Sequence, residues 1–97
     1  MARGRLSSLN TTFACSKKLS DIDDFAACLK EAEINMIASG EDPDTGVLTM
    51  FYFAKESVSE TYVLIEMQVQ GDQITLEVRS DNSRICDQSS KKIKSLI

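Results

Sequence analysis

The sequence predicts an α+β domain, with a five-stranded, mostly antiparallel sheet flanked by helices. Three observations support this class: several strand-like segments, two segments with helical spacing, and one hairpin with a self-consistent register. The 97 residues are 42% apolar and 27% charged. A chain of this length and composition can form one hydrophobic core but is too short to form two. We therefore expect a single domain over residues 11–97, preceded by a leader or linker over residues 1–10.

The first strand and the first helix are predicted within residues 11–32. Larger and smaller side chains alternate over residues 11–16, which is typical of a strand. Ser20 then begins a segment that resembles a capping box, with carboxylates at the positive end of the helix dipole. Apolar residues follow at helical spacing and predict an amphipathic helix over residues 21–32. They are Ile22, Phe25, Ala26, Leu29 and Ala32.

Two further strands are predicted on either side of an acidic turn. Residues 34–38 are short and apolar, as in a strand. Residues 40–46 combine Gly, Pro and Asp, the residues that favour turns. Residues 47–54 are apolar on both faces, which is typical of an interior strand.

The orientation of that interior strand stays open at the level of sequence. The polar connection at residues 55–60 does not fix its register against the next strand. Either Phe51 and Phe53 or Met50 and Tyr52 can point away from the core.

The next two strands form the clearest local pattern of the sequence. Residues 61–70 and 73–79 both alternate, and Gly71-Asp72 fits a two-residue hairpin turn with Gly in the first position. Pairing Gln70 with Gln73 places all seven apolar residues on one face. They are Val63, Ile65, Met67, Val69, Ile74, Leu76 and Val78. A closing helix is predicted over residues 84–96, with lysines near its negative end.

The composition argues against several classes of function. The net charge of −4 argues against nucleic-acid binding. The chain has no histidine, no phosphate-binding glycine loop and no convincing pair of catalytic carboxylates, so we expect no enzyme, no cofactor and no metal site. Cys15, Cys28 and Cys86 form no CxxC pair, and we expect them to be reduced in a cytosolic protein.

The face of the sheet that points away from the core is the candidate docking surface. Tyr62, Leu64 and Glu66 share that face of their strand, beside one face of residues 47–54. An exposed apolar patch with polar surroundings is typical of a peptide-binding groove. The alternative is that a helix covers this face. Glu66 lies opposite Glu77, a pair that either faces a basic ligand group or is neutralised by Arg79.

The stretch from Ile34 to Ile97 resembles the C-terminal platform subdomain of beta-adaptin appendages, the ears of the large beta subunits of AP-type vesicle coat adaptors. The resemblance is carried by the strand ending in Ile37-Ala38, the apolar residues 47–54, the segment Tyr62-Val63-Leu64-Ile65-Glu66, the hairpin into Ile74–Arg79 and the closing helix. With Phe13 to Phe25 it covers about residues 11–97. It implies a TBP-like platform that binds short linear motifs of accessory and coat proteins, in some members clathrin.

Two departures from the endocytic members refine the resemblance. Those members carry a tryptophan near the position of Ser16-Lys17, and this chain has none. They also carry an immunoglobulin-like sandwich before the platform, for which we expect no room. Both features indicate the beta subunit of the fourth, clathrin-independent AP-type complex, at the cytoplasmic surface of trans-Golgi network or endosomal membranes. The implied partners are accessory proteins and, through the rest of a parent chain, other adaptor subunits, with no nucleic acid and only indirect membrane contact.

We expect the peptide site to combine an apolar floor, aromatic anchors and a charged rim. The predicted site residues are Met36, Ile37, Ala38, Tyr52, Tyr62, Leu64 and Glu66. The resemblance places Tyr62 to Glu66 where ligand-contacting positions occur in the family. An alternative function is a small dimerisation module of a scaffold, without a peptide ligand.

Overall fold

A computed structural model describes residues 7–56 and 60–97 of the chain. The elements are β1 (Ser7–Ala14), α1 (Ile22–Lys30), β2 (Asn35–Glu41), β3 (Leu48–Glu56), β4 (Thr61–Gln70), β5 (Gln73–Ser80) and α2 (Ser83–Leu96). The predicted α+β class is confirmed, because a five-stranded antiparallel sheet carries both helices. Neither helix is long and apolar enough to cross a membrane, as far as the described residues go.

The strand order across the sheet is β1-β5-β4-β3-β2. Strands β2 to β5 form a meander, and β1 pairs antiparallel with β5 at the opposite edge from β2. The first strand begins at Ser7, earlier than predicted, so residues 7–10 belong to the sheet and not to a leader. The rest of the predicted leader, residues 1–6, lies outside the described residues.

The predicted β4–β5 hairpin register is confirmed. Gln70 pairs with Gln73, and Val69 lies opposite Ile74. Gly71 adopts a φ of 63°, the left-handed conformation that the first position of this turn requires and that glycine adopts without strain. All seven apolar residues of the hairpin are buried on one side of the sheet.

We call this side the covered face, because the two helices pack against it, and the other side the open face. Helix α2 contacts β1, β5 and β4, while α1 contacts β2 and α2. The core between the helices and the covered face includes Phe25 and Leu29 of α1 and Ile85 and Ile93 of α2.

Helix α1 is shorter than predicted and its cap lies one residue later. Asp21, not Ser20, is the N-cap, and its carboxylate accepts a hydrogen bond of 2.9 Å from the backbone N–H of Asp24. The Asp24 carboxylate accepts hydrogen bonds of 2.9 Å from the backbone N–H and the hydroxyl of Ser20. These bonds with Ser20 lower the pKa of Asp24. Together these hydrogen bonds fix the start of the helix in an arrangement related to a capping box.

The structure resolves which face of β3 is buried. Tyr52 pairs with Ile65 of β4, so its side chain joins the covered face and is fully buried. Its hydroxyl donates a hydrogen bond of 3.2 Å to Sδ of Met50, and burial raises the pKa of Tyr52 to about 12. Phe51 pairs with Glu66 and therefore lies on the open face with Phe53.

Candidate functional site

The open face carries the exposed apolar surface of the described residues. Their large exposed hydrophobic side chains are Ile37, Phe51, Tyr62 and Leu64, which are 61%, 40%, 54% and 43% exposed. All four lie on this face. The alternative that a helix covers it is therefore wrong, since both helices contribute their buried residues to the core on the covered face.

A groove of about 270 Å³ crosses the open face between β2 and β5. Its apolar side is formed by Ile37 and Ala38 of β2, Phe51 of β3 and Leu64 of β4. The backbone of β2 makes this possible, because its register shifts between Met36 and Ala38. An irregularity of this kind adds one residue to the strand and here leaves Ile37 projecting at the groove.

The other side of the groove is charged. It consists of Glu66 of β4 with Glu77 and Arg79 of β5. The guanidinium of Arg79 donates two hydrogen bonds to the Glu77 carboxylate, at 2.9 and 3.1 Å. This pairing with Glu77, together with the nearby charge of Glu66, raises the pKa of Arg79. The Glu66 carboxylate accepts a hydrogen bond of 3.3 Å from the side-chain amide of Gln68.

An aromatic pair extends the open face beyond the groove. The rings of Phe53 and Tyr62 stack with their centroids 5.1 Å apart. The Lys55 ammonium lies 5.6 Å from the centroid of Tyr62 and 3.6 Å from a carboxylate oxygen of Glu60. This cluster gives the apolar patch a second, aromatic end with a cation at its edge.

Four of the predicted site residues come together at the groove: Ile37, Ala38, Leu64 and Glu66. Tyr62 shares their face but lies outside the groove lining. Met36 is half-buried and packs against the core.

The side chain of Tyr52, which was predicted as a ligand anchor, is not exposed at the groove. Although its segment of β3 borders the groove, its side chain is fully buried on the covered face. The β3–β4 register determines this orientation, and the sequence did not fix that register.

Phe51, Glu77 and Arg79 line the groove but were not among the predicted site residues. Phe51 alternates with Tyr52 along β3. The sequence could have assigned Phe51 to the groove only if the orientation of β3 had been known. Glu77 and Arg79 were visible in the predicted hairpin register, in which they share the face of Glu66.

A larger cleft of about 580 Å³ lies between the start of α1 and the β2–β3 turn. Leu19, Ile22 and Leu48 contribute apolar atoms to it, and these side chains also pack against the core. Asp21 on its rim is engaged in capping α1. The open-face groove is the better candidate, because its apolar side chains are exposed without such a structural role.

The three cysteines are all free thiols. Cys15 and Cys28 are half-buried, and Cys86 is buried, which raises its pKa. Their thiols donate hydrogen bonds to backbone carbonyls of Lys17, Leu96 and Ser7, respectively. Their contacts are those of small core residues.

A comparison with protein families gives one result that bears on this site. The family model for the beta2-adaptin appendage, C-terminal sub-domain, matches residues 6–97. The match includes every strand of the sheet and all residues of the groove. No curated protein matches the chain.

Proposed function

Because the chain belongs to the family of beta2-adaptin appendage C-terminal subdomains, we propose that its open-face groove binds short linear peptide motifs of accessory proteins. The domain is a non-catalytic protein-interaction module. Its family membership implies recruitment of accessory proteins to adaptor complexes in vesicle transport. In this proposal, the side chains that line the groove bind the motifs of the accessory proteins.

The observation that supports this site most strongly is the concentration of exposed apolar groups on one uncovered face. Ile37, Phe51 and Leu64 come from three neighbouring strands and meet at the groove. Interaction sites are typically apolar patches surrounded by polar groups, and a few central side chains supply most of the affinity. Leu64 lies between Phe53 of β3 and Arg79 of β5 in the sheet and lines the groove together with Phe51, so it is the best candidate for such a side chain.

We further propose that the domain serves the fourth, clathrin-independent AP-type complex at trans-Golgi network or endosomal membranes. The absence of tryptophan from the chain supports this assignment, because the endocytic members that the sequence resembles use one near the position of Ser16-Lys17. In this assignment the groove residues and the adjoining Tyr62 recognise a peptide partner without a tryptophan. Membrane contact in this assignment is indirect, through the adaptor complex.

Substitutions on the open face test the groove. Binders from a random octapeptide phage library, selected on the wild-type domain, would be measured by fluorescence anisotropy against Leu64→Ser and Tyr62→Ala. We expect each substitution to weaken binding by about 1–3 kcal/mol, because hot-spot side chains at interfaces contribute this much. Leu64→Ser is expected to have the larger effect, since Leu64 lines the groove and Tyr62 adjoins it.

Ala27→Ser is the matched control, because Ala27 is exposed on α1 and lies outside the groove. Circular dichroism would check that each variant is folded. Normal binding by both open-face variants would refute the site. A dimer that forms with increasing concentration and is lost in Leu64→Ser would favour the dimerisation module instead.

A further inference from the structure

We propose that β1 is a self-association edge, at which the β1 strands of two copies of this chain pair antiparallel and join the two sheets into one. The inference goes beyond the proposed function, because it concerns an edge of the sheet that does not line the groove. It is carried by the unprotected backbone of β1 and by a register in which this strand is complementary to itself.

The two edges of the sheet differ in how they are protected. Natural proteins usually prevent unwanted strand pairing with charges, prolines or bulges on their edge strands. The edge strand β2 has a register shift between Met36 and Ala38 and carries Glu41. The other edge strand, β1, reads SSLNTTFA, with no charged residue and no proline, and keeps one register against β5 over its whole length. β1 is therefore the edge that can accept a further strand.

The backbone of β1 offers hydrogen-bonding groups on its outer side. In an antiparallel ladder, the N–H and C=O groups of alternate residues point towards the same neighbouring strand. The N–H of Cys15 donates a hydrogen bond of 2.7 Å to the carbonyl of Asp72 and continues the ladder with β5, which assigns the odd-numbered residues of β1 to that ladder. The even-numbered residues therefore direct their N–H and C=O groups away from the sheet. They are Ser8, Asn10, Thr12 and Ala14, and all of them are exposed.

One antiparallel register uses all of these outward-facing residues. When Thr11 of one copy lies opposite Thr11 of the other, Asn10 pairs with Thr12 and Ser8 pairs with Ala14 across a twofold axis. Because each of these pairs joins residues with outward N–H and C=O groups, each exchanges both of its backbone hydrogen bonds.

The side chains match in the same register. On the covered face, the half-buried Leu9 of each copy lies opposite Phe13 of the other, and aromatic–aliphatic pairs of this kind stabilise antiparallel sheets. On the open face, only small neutral side chains of β1 meet, so that no like charges oppose each other across the strands. A second copy of the chain is therefore the occupant that this edge fits.

The pairing leaves both grooves accessible. Opposite residues of paired strands point to the same face of a sheet, so the open faces of the two copies lie on the same side. In terms of the proposed function, a pair of domains offers two grooves to an accessory protein that carries two motifs, which strengthens its binding through effective concentration. The contact itself is weak, because a single pair of strand edges is smaller than the roughly 1,200–2,000 Å² of a stable interface. We expect a Kd of about 0.1–1 mM.

Sedimentation velocity over a concentration range from about 10 μM to about 1 mM measures the association of the wild-type chain. We expect the weight-average mass to rise towards that of two copies. Thr12→Pro should raise the Kd at least about tenfold, because it removes an outward N–H while leaving the hydrogen bonds with β5 intact. Thr12→Val is the matched control. Both variants lose the Thr12 hydroxyl, which lies 3.5 Å from that of Thr75, but Thr12→Val keeps the N–H and should keep the association.

Cysteine cross-linking tests the register and does not depend on the proline variant. In the proposed register, the two copies of Thr11 form a non-hydrogen-bonded pair with Cα atoms about 4.5 Å apart, a distance that suits a disulfide. The two copies of Asn10 are offset along the strands by about 7–8 Å, too far for one. With diamide as the oxidant, Thr11→Cys should therefore form a covalent dimer at least about fivefold faster than Asn10→Cys. Wild type, with its own free cysteines, gives the background.

The outcomes separate this inference from the proposed function. A wild-type chain that sediments as a single copy over the whole range would overturn the inference, as would an association that survives in folded Thr12→Pro or is lost in Leu64→Ser instead. Faster cross-linking of Asn10→Cys than of Thr11→Cys would overturn the register. Should Thr12→Pro unfold, as judged by circular dichroism, the cross-linking comparison decides alone. None of these results touches the groove, where folded Thr12→Pro should bind peptides as wild type does.

Discussion

The two faces of this sheet are built from alternate residues of the same strands, yet one face is buried beneath the helices and the other is partly exposed. In β3, Tyr52 is fully buried on the covered face while its neighbour Phe51 is 40% exposed on the open face. In β4, Ile65 enters the core while Leu64 and Glu66 line the groove. The core lies entirely between the covered face and the helices. If the proposed function holds, stability and binding depend on different side chains, and substitutions on the open face should have little effect on the stability of the fold.

Adjacent residues of β3 provide the sharpest test of this division. We expect Tyr52→Ala to lower the free energy of unfolding by about 3–5 kcal/mol, because it leaves a large cavity in the core. Phe51→Ala should lower it by less than about 1 kcal/mol, since its ring is partly exposed, and should instead weaken peptide binding. Urea denaturation followed by circular dichroism measures both values. Similar losses of stability for the two variants would contradict the division between the faces.

High pH should lower the free energy of unfolding, because Tyr52 is buried on the covered face in its neutral form. Burial raises the pKa of Tyr52 to about 12 in the folded state, above the value of about 10 that is usual for an unfolded chain. The phenol of Tyr52 is buried in its neutral form. Its contribution to the free energy of unfolding is therefore complete below about pH 10 and is lost as the pH rises towards 12. The loss should amount to roughly 2 kcal/mol.

Tyr52→Phe provides the control for this prediction. It keeps the ring and removes the titrating hydroxyl, so the difference in stability between wild type and variant should change between about pH 10 and 12. Denaturant titrations at several pH values measure that difference. A difference that is constant with pH would indicate that Tyr52 is not a buried titrating group.

The smallest expected effect has the opposite sign and concerns the open face. Glu66→Gln should raise the free energy of unfolding by about 0.2–1 kcal/mol, because it removes the repulsion between Glu66 and Glu77. Thermal unfolding at low salt measures the gain, and Glu31→Gln serves as the control at an exposed site. A loss of stability in Glu66→Gln would mean that this carboxylate supports the fold.

The sequence was sufficient for the β4–β5 hairpin but not for the orientation of β3. In the hairpin, Gly71 fixes the turn and the strict alternation on both sides allows only one register with all apolar residues together. In β3, both faces are apolar, so neither orientation is favoured by the pattern. The polar connection to β4 did not distinguish between the two orientations of β3. Residues 57–59 of this connection lie outside the described residues.

This difference between the hairpin and β3 also explains which of the predicted site residues were correctly expected to lie on the open face. Leu64 and Glu66 follow from the hairpin, and their place on the open face depends on that register alone. Tyr52 was assigned to the site because a tyrosine offers a large apolar area and a hydroxyl that can remain hydrated. Its pairing with Ile65 instead places its side chain in the core. The projection of Ile37 depends on a local shift of register in β2, which no periodic pattern reveals.

The position of β1 has a consequence for the order in which the domain assembles. Strands β2 to β5 are joined by short connections, so their pairing closes small loops and can begin as soon as neighbouring strands have been synthesised. β1 comes first in the chain, but its partner is β5, with Ser7 opposite Ser80. On the ribosome, the earliest strand must therefore wait for the latest one. Until β5 emerges, the sheet lacks both β5 and β1, and Phe13 lacks the core against which it packs.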